Sequence, residues 1–278
     1  MKNYEELTFT DDYMFCKILQ QDEELCKRLV EVIIGKKIGQ IIKNDKQKPI
    51  DVTSDGKGVR LDVILEDDLE SVYNIEMQNV NTKNIAKRAR YYQGMLDVNY
   101  MERGWEYEKL KKSYIIFINQ FDMFGVGLPK YTFVNRCLEK ADLEMGDETT
   151  KIFLNTKGIC DTIEPELKAL LTYMCNGQAT TDLTKDIETQ IIEARANARW
   201  RGDFMTLYEH YQIERNQGRE EGRSEGLAEG RAEGRFDAVT KLIKKGFSVE
   251  DACDLLDCDI DKYKAAVDGK GTLKNTSN

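Results

Sequence analysis

Two short runs of alternating hydrophobicity, joined by an acidic turn, constrain this chain more than any other feature. The first, Gly58–Leu65, reads GVRLDVIL, and the second, Ser71–Val80, reads SVYNIEMQNV. Strand side chains repeat every second residue, so both runs predict half-buried strands rather than amphipathic helices. The EDDLE between them is short and charged, which makes the pair an antiparallel hairpin. Asp62 is then expected near the middle of one arm, while Asn74, Glu76 and Gln78 share a face of the other. Carboxylates on adjacent strands can reach one hard divalent cation, which neutralises phosphate charge and acidifies a bound water. On pattern alone, two such acids are more often simply solvated.

The flanking segments extend this into an α/β pattern. TFTDDYMFCKIL, with Thr10 as N-cap, and DEELCKRLVEVIIG predict two helices, the second stopping at Gly35 where a left-handed residue fits. Lys37–Ile42 reads as a short strand and NDKQKP as a turn. Lys83–Asn99 predicts a helix on which Arg88 and Tyr92, four residues apart, project from one side. The apolar Tyr114–Ile118 predicts a central strand, Tyr131–Val134 and Lys151–Leu154 two more, and Pro165–Cys175 a helix opened by its proline. Leu183–Tyr211 reads as one long, mostly polar helical tract.

What the chain lacks narrows its chemistry. Its one histidine, His210, sits in an EHYQ context with no GxSxG-type nucleophile nearby, which argues against a Ser-His-Asp or Cys-His mechanism. The seven cysteines include no CxxC pair, so a zinc finger is disfavoured and reduced, mostly buried thiols are expected. No stretch reaches the roughly 20 apolar residues of a membrane span, and the acidic start does not read as a secretory signal; the expected address is the cytoplasm. A formal charge of −9 argues against nucleic-acid binding by general cationic attraction. DNA held by such a chain would be gripped over a small footprint, with strong salt dependence.

Near the C-terminus, GREEGRSEGLAEGRAEG places glycine at 218, 222, 226, 230 and 234. Five glycines inside a helix cost about 5 kcal/mol relative to alanine. Glu221, Glu225, Glu229 and Glu233 repel one another at four-residue spacing, as do Arg219 and Arg223. Two readings stay open: a solvated linker, or a helix that pairs with another copy so that an arginine column meets a glutamate column. The charges exclude a membrane dimer of the GxxxG kind. Beyond the repeat, FDAVTKLIKKG and SVEDACDLLDCDIDKYKAAV predict a helical hairpin with a Ser248–Asp251 capping box, followed by a disordered tail, DGKGTLKNTSN. The acidity of its second helix suits docking or dimerisation better than DNA recognition by a helix-turn-helix.

The order RLDV, an acidic turn, IEMQ, then a helix containing KRARYYQ resembles the PD-(D/E)XK nuclease-like family of transposases, also called recombination-promoting (Rpn) nucleases. The resemblance reaches upstream to TDDYMFCKIL and downstream to the glycine-glutamate repeat, and is specific through about residue 120. It implies an α/β fold: a PD-(D/E)XK restriction-endonuclease-like core with a mixed β-sheet flanked by helices, plus a C-terminal helical extension. The expected division is a nuclease core over 1–135, a mixed or helical extension packed on it over 136–215, the repeat over 216–235 as helix or linker, and the helical hairpin and tail over 236–278.

By position, Asp62 matches the family's metal-binding aspartate, Glu76 the acid of the (D/E)XK element, and Gln78 the superfamily's lysine. Glu31 matches a glutamate that many members contribute from the first core helix as a further metal ligand. Arg88 and Tyr92 match an arginine and a tyrosine that could touch the phosphate backbone, or else pair with Glu76 or the sheet. Lys83 and Lys87 are further DNA-binding candidates, with Arg90 and the lysines at 36, 37, 43, 46 and 48 behind them. The implied activity is a Mg²⁺- or Mn²⁺-dependent DNA endonuclease linked to recombination or mobile elements. The departure is Gln78, whose amide carries no charge to stabilise the transition state. The alternative is a catalytically silent DNA-binding, regulatory or oligomerisation protein that retains the fold. Any homo-oligomer would use the repeat and the C-terminal helices.

Overall fold

The computed structural model describes residues 2–46, 49–50 and 59–273, which form two units divided after Phe204. The strands of the first unit are β1 (Ile41–Lys46), β2 (Pro49–Ile50), β3 (Val59–Arg60), β4 (Val63–Asp67), β5 (Ser71–Gln78), β6 (Lys112–Asn119), β7 (Lys130–Phe133) and β8 (Thr149–Asn155). Six of them make one mixed sheet in the order β1-β4-β5-β6-β8-β7, while β2 and β3 pair with each other. β5, β6 and β8 run parallel, and the edges are antiparallel. Central position for the 114–118 strand follows from its place between β5 and β8. Because β8 belongs to this sheet, the sheet continues well past residue 135.

The expected hairpin exists as β4–β5, with Val63 opposite Ile75 and Glu66 opposite Val72. Its first arm is shorter than the alternation suggested. Val59–Arg60 pairs instead with Pro49–Ile50, and Asp62 falls in the break before β4 rather than mid-strand. The physical reason is local: the N–H of Asp62 is taken by the Glu76 carboxylate and not by a ladder carbonyl. Gly58, at the head of the run, lies outside the described residues, as do Gln47 and Lys48.

The strand expected over 37–42 begins only at Ile41. Before it, the N–H groups of Ile38, Gly39 and Gln40 go to the carboxylates of Glu31, Asp67 and Asp68, so no ladder can form there. Residues 44–46, expected in a turn, extend β1.

The helices are α1 (Asp12–Gln21), α2 (Glu23–Ile34), α3 (Ile85–Tyr100), α4 (Pro165–Asn176), α5 (Asp182–Ala196), α6 (Ala198–Lys244), α7 (Val249–Leu255) and α8 (Ile260–Leu273). α1 starts after Asp11, not at Thr10, because Asp11 ties down the N–H and hydroxyl of Thr8. α2 has the expected stop: Gly35 adopts φ 78° and donates to Glu31 O at 2.8 Å. The tract expected over 183–211 breaks at Asn197, whose side chain accepts from Trp200 N at 3.1 Å and so starts a new helix.

The sheet has a core on each face. Leu29 and Ile33 of α2, Leu170 of α4 and Ile187 of α5 pack with Val63, Ile75, Ile116 and Leu154. Ala89, Tyr92 and Leu96 of α3 pack on Ile64, Val72, Ile115 and Phe117 from the other side. β5 therefore sends Tyr73, Ile75 and Met77 into the first core, and the parity of Val72 puts Asn74, Glu76 and Gln78 toward α3.

In the second unit the glycine repeat is helical throughout, within α6. A small core of Val239, Ala252, Cys253 and Tyr263 joins the end of α6 to α7 and α8. The capping box forms, with Asp251 N donating to Ser248 Oγ at 3.0 Å. The single helix expected over 248–267 is two, separated around Asp257 at φ 47°. α8 continues to Leu273, into the stretch expected to be disordered; residues 274–278 lie outside the described residues.

Candidate active site

Asp62 and Glu76 meet one step beyond the Val63–Ile75 pair of the hairpin. Asp62 N donates to Glu76 Oε1 at 3.0 Å, and Met77 N donates to Asp62 Oδ2 at 3.2 Å. Each carboxylate thus takes a main-chain N–H from the other arm of the hairpin, which fixes both. Glu76 is 1% exposed. Burial pushes its pKa well above the ordinary glutamate value, the Asp62 charge pushes the same way, and the Asp62 N–H, Arg88 and Asn74 oppose them.

The cation beside this pair comes from α3. Arg88 lies 3.7 Å from Glu76 Oε2, donates to Gln78 Oε1 at 2.8 Å and to Tyr92 Oη at 2.8 Å. Its guanidinium also sits over the rings of Tyr92 and Phe117, at 5.3 and 5.7 Å from their centroids. Burial raises the Tyr92 phenol, and the Glu76 charge adds to it. Asp62, Glu76, Gln78, Arg88 and Tyr92 are therefore brought together.

Glu31 stands apart from them. α2 belongs to the opposite core, and its Glu31 carboxylate accepts from Ile38 N at 3.2 Å and from Lys37 Nζ at 2.6 Å. It lines a separate cavity of about 560 Å³ with Arg28, Lys36 and Asp182. Lys83, Lys87 and Arg90 are exposed. Lys36 donates to Tyr114 Oη at 2.7 Å, and Lys43 lies 5.3 Å from the Tyr100 ring centroid. Lys48 lies outside the described residues, as does the side chain of Lys46. Among the described residues, no group of three or more His, Cys, Asp or Glu could hold a metal ion.

Two further polar features lie near the pair. Asn74 is wholly buried on the Glu76 face, where its side-chain amide works to lower the Glu76 pKa. The parallel strands end on amides in one register row, Gln78 beside Asn119 beside Asn155. In open α/β sheets the carboxyl ends of parallel strands are where ligands sit. The signal was present as an amide closing each apolar run.

A mixed six-stranded sheet with helices on both faces is consistent with a PD-(D/E)XK-type α/β fold. The family described as PD-(D/E)XK nuclease family transposase matches residues 9–159, and the chain belongs to it. No curated protein and no solved structure matches the chain. Membership supports a nuclease or transposase-related role, with DNA as the substrate that such a family implies. Among the described residues, no helix is long and apolar enough to cross a membrane.

Proposed function

We propose that this protein is a divalent-metal-dependent DNA endonuclease that hydrolyses a phosphodiester bond at Asp62, Glu76 and Gln78, in DNA recombination or mobile-element activity. The observation that carries the reading is the reciprocal Asp62–Glu76 contact, in which a buried acid lies against a second acid. Such a pair would favour a divalent cation held by its carboxylates. Two hard oxygen donors suit Mg²⁺ or Mn²⁺, which take few carboxylates and complete their shells with waters and substrate phosphate. When bound, the ion would stabilise charge on the phosphate and lower the pKa of the attacking water.

The chain's own residues supply the rest. Asp62 and Glu76 would hold the ion, and Gln78, fixed by Arg88, would orient the water through its amide. Arg88 would bring from α3 the positive charge that a lysine at 78 would bring. Lys83, just before α3, and Lys87, in its first turn, are exposed and would grip the flanking backbone. Free thiols at Cys16, Cys26, Cys137, Cys175, Cys253 and Cys258 fit a reducing cytoplasm.

A second reading has its own observation: Arg88 already lies 3.7 Å from Glu76 and donates to Gln78, as in a silent DNA-binding protein that keeps the fold. Supercoiled plasmid incubated with the full chain and Mg²⁺ or Mn²⁺ decides between them. Nicking is expected, with loss in Asp62→Ala, in Glu76→Ala and under chelation. Equal nicking by both variants would remove the site assignment, and DNA binding without nicking would favour the silent reading.

A further inference from the structure

Every residue of α6 from Ile213 to Arg231 is exposed, and in the whole helix only Val239 is buried. No arginine or glutamate in that stretch is in an ion pair among the described residues. A Cβ added at Gly218, Gly222, Gly226, Gly230 or Gly234 would meet nothing within 4 Å, so no packing among the described residues accounts for the glycines.

The four-residue period divides the helix surface into ridges, because residues i and i+4 are neighbours. Glycine forms one ridge. Arginines at 219, 223, 231 and 235 form the ridge on one side of it, and acids at 221, 225, 229, 233 and 237 form the ridge on the other. Within one helix this places like charges next to each other. Between two helices it is complementary.

We propose that α6 binds α6 of a second copy as a parallel pair that crosses on the glycine ridge. Orientation follows from the charges. In a parallel pair related by a twofold axis, opposite flanks of the two helices face each other, so arginine meets glutamate on both sides. An antiparallel pair sets each flank against itself, arginine on arginine and glutamate on glutamate. Ridges of four-residue spacing interlock at a crossing of about −50°, and without Cβ atoms the two backbones can approach closer than the usual 8–10 Å between axes. The contact is thus a short crossing and not an extended coiled coil. This assembly is independent of the nuclease reading.

Sedimentation equilibrium of the full chain tests it. A dimer is expected at low salt, weakened roughly tenfold or more at high salt. Reversing the arginines (R219E/R223E/R231E) or the glutamates (E221R/E225R/E229R/E233R) should give monomers, and an equimolar mixture of the two variants should dimerise. G222A/G226A/G230A should gain helicity by circular dichroism yet lose the dimer. Energy transfer between dyes at position 217 of both copies should exceed that between 217 of one and 237 of the other. A parent that stays monomeric at low salt, charge-reversed variants that remain dimeric, an alanine variant that still pairs, or stronger 217–237 transfer would each overturn the proposal.

Discussion

Asp62 and Glu76 are locked together through main chain: the N–H of Asp62 donates to the Glu76 carboxylate at 3.0 Å, and the neighbouring Met77 N–H donates to Asp62 at 3.2 Å. The hairpin therefore preorganises both acids before anything binds. That order has an electrostatic cost, because Glu76 is desolvated beside a like charge.

The cost gives a pH signature. Folded Glu76 holds its proton to higher pH than the unfolded chain does, so above the ordinary value of 4.5 the unfolded state binds fewer protons and stability falls as pH rises through the raised pKa. Below 4.5 both states are protonated and the contribution is complete. In chelator at neutral pH, Glu76→Gln should melt above the parent, with the gap closing toward acid pH. Added Mg²⁺ should raise the parent alone. A variant that melts below the parent at neutral pH contradicts the burial argument.

Gln78 and Arg88 should behave as a unit. Arg88 donates to the Gln78 carbonyl oxygen at 2.8 Å, so a lysine at 78 would set an ammonium against a guanidinium. Gln78→Lys should lower nicking and cost about 1 kcal/mol in stability, while Arg88→Ala should cost about 1–3 kcal/mol by leaving Glu76 less compensated. The double variant should lose less than the sum of the two. Urea titrations of the four proteins give the coupling directly, and strict additivity would mean that the contact carries no energy.

Asp67, 1% exposed, anchors the turn of the same hairpin. It accepts from the N–H groups of Gly39, Leu69 and Ser71 and from the Tyr73 hydroxyl at 2.9–3.1 Å. Asp67→Asn turns an all-acceptor group into one that must aim a donor at those donors, and should cost roughly 2–3 kcal/mol. Asp68→Asn, whose one described main-chain contact is exposed, should cost well under half as much. Equal midpoint shifts in urea would refute the anchoring role.

These acids show where sequence reasoning held and where it stopped. Period-two alternation placed Glu76 and Gln78 on one face and the hairpin set them beside Asp62, because parity along one strand is fixed by the sequence itself. It did not find the break at Asp62, since Val59–Arg60 keeps the alternation while changing partner. In the acidic turn, Asp67 and Asp68 look alike as letters, and only the fold buries one of them. α6 reads as costly from its glycines, and the structure nevertheless makes it helical throughout.

Two glycines test packing with opposite signs. A Cβ on Gly158 would stand 2.5 Å from Pro129 Cα and 2.6 Å from its nitrogen, both backbone atoms that cannot step aside. The same junction is tied by Asn155 N to Pro129 O at 2.9 Å and Ile159 N to Gly127 O at 3.0 Å, so a shift there would disturb the end of β8. Gly158→Ala should destabilise by roughly 1–3 kcal/mol. Gly94 lies inside α3 with open space where its Cβ would go. Gly94→Ala should stabilise by about 0.5–1 kcal/mol through helix propensity and a less free unfolded chain. Urea midpoints at unchanged slope measure both, and shifts of the same sign would show that space at these positions does not decide the outcome.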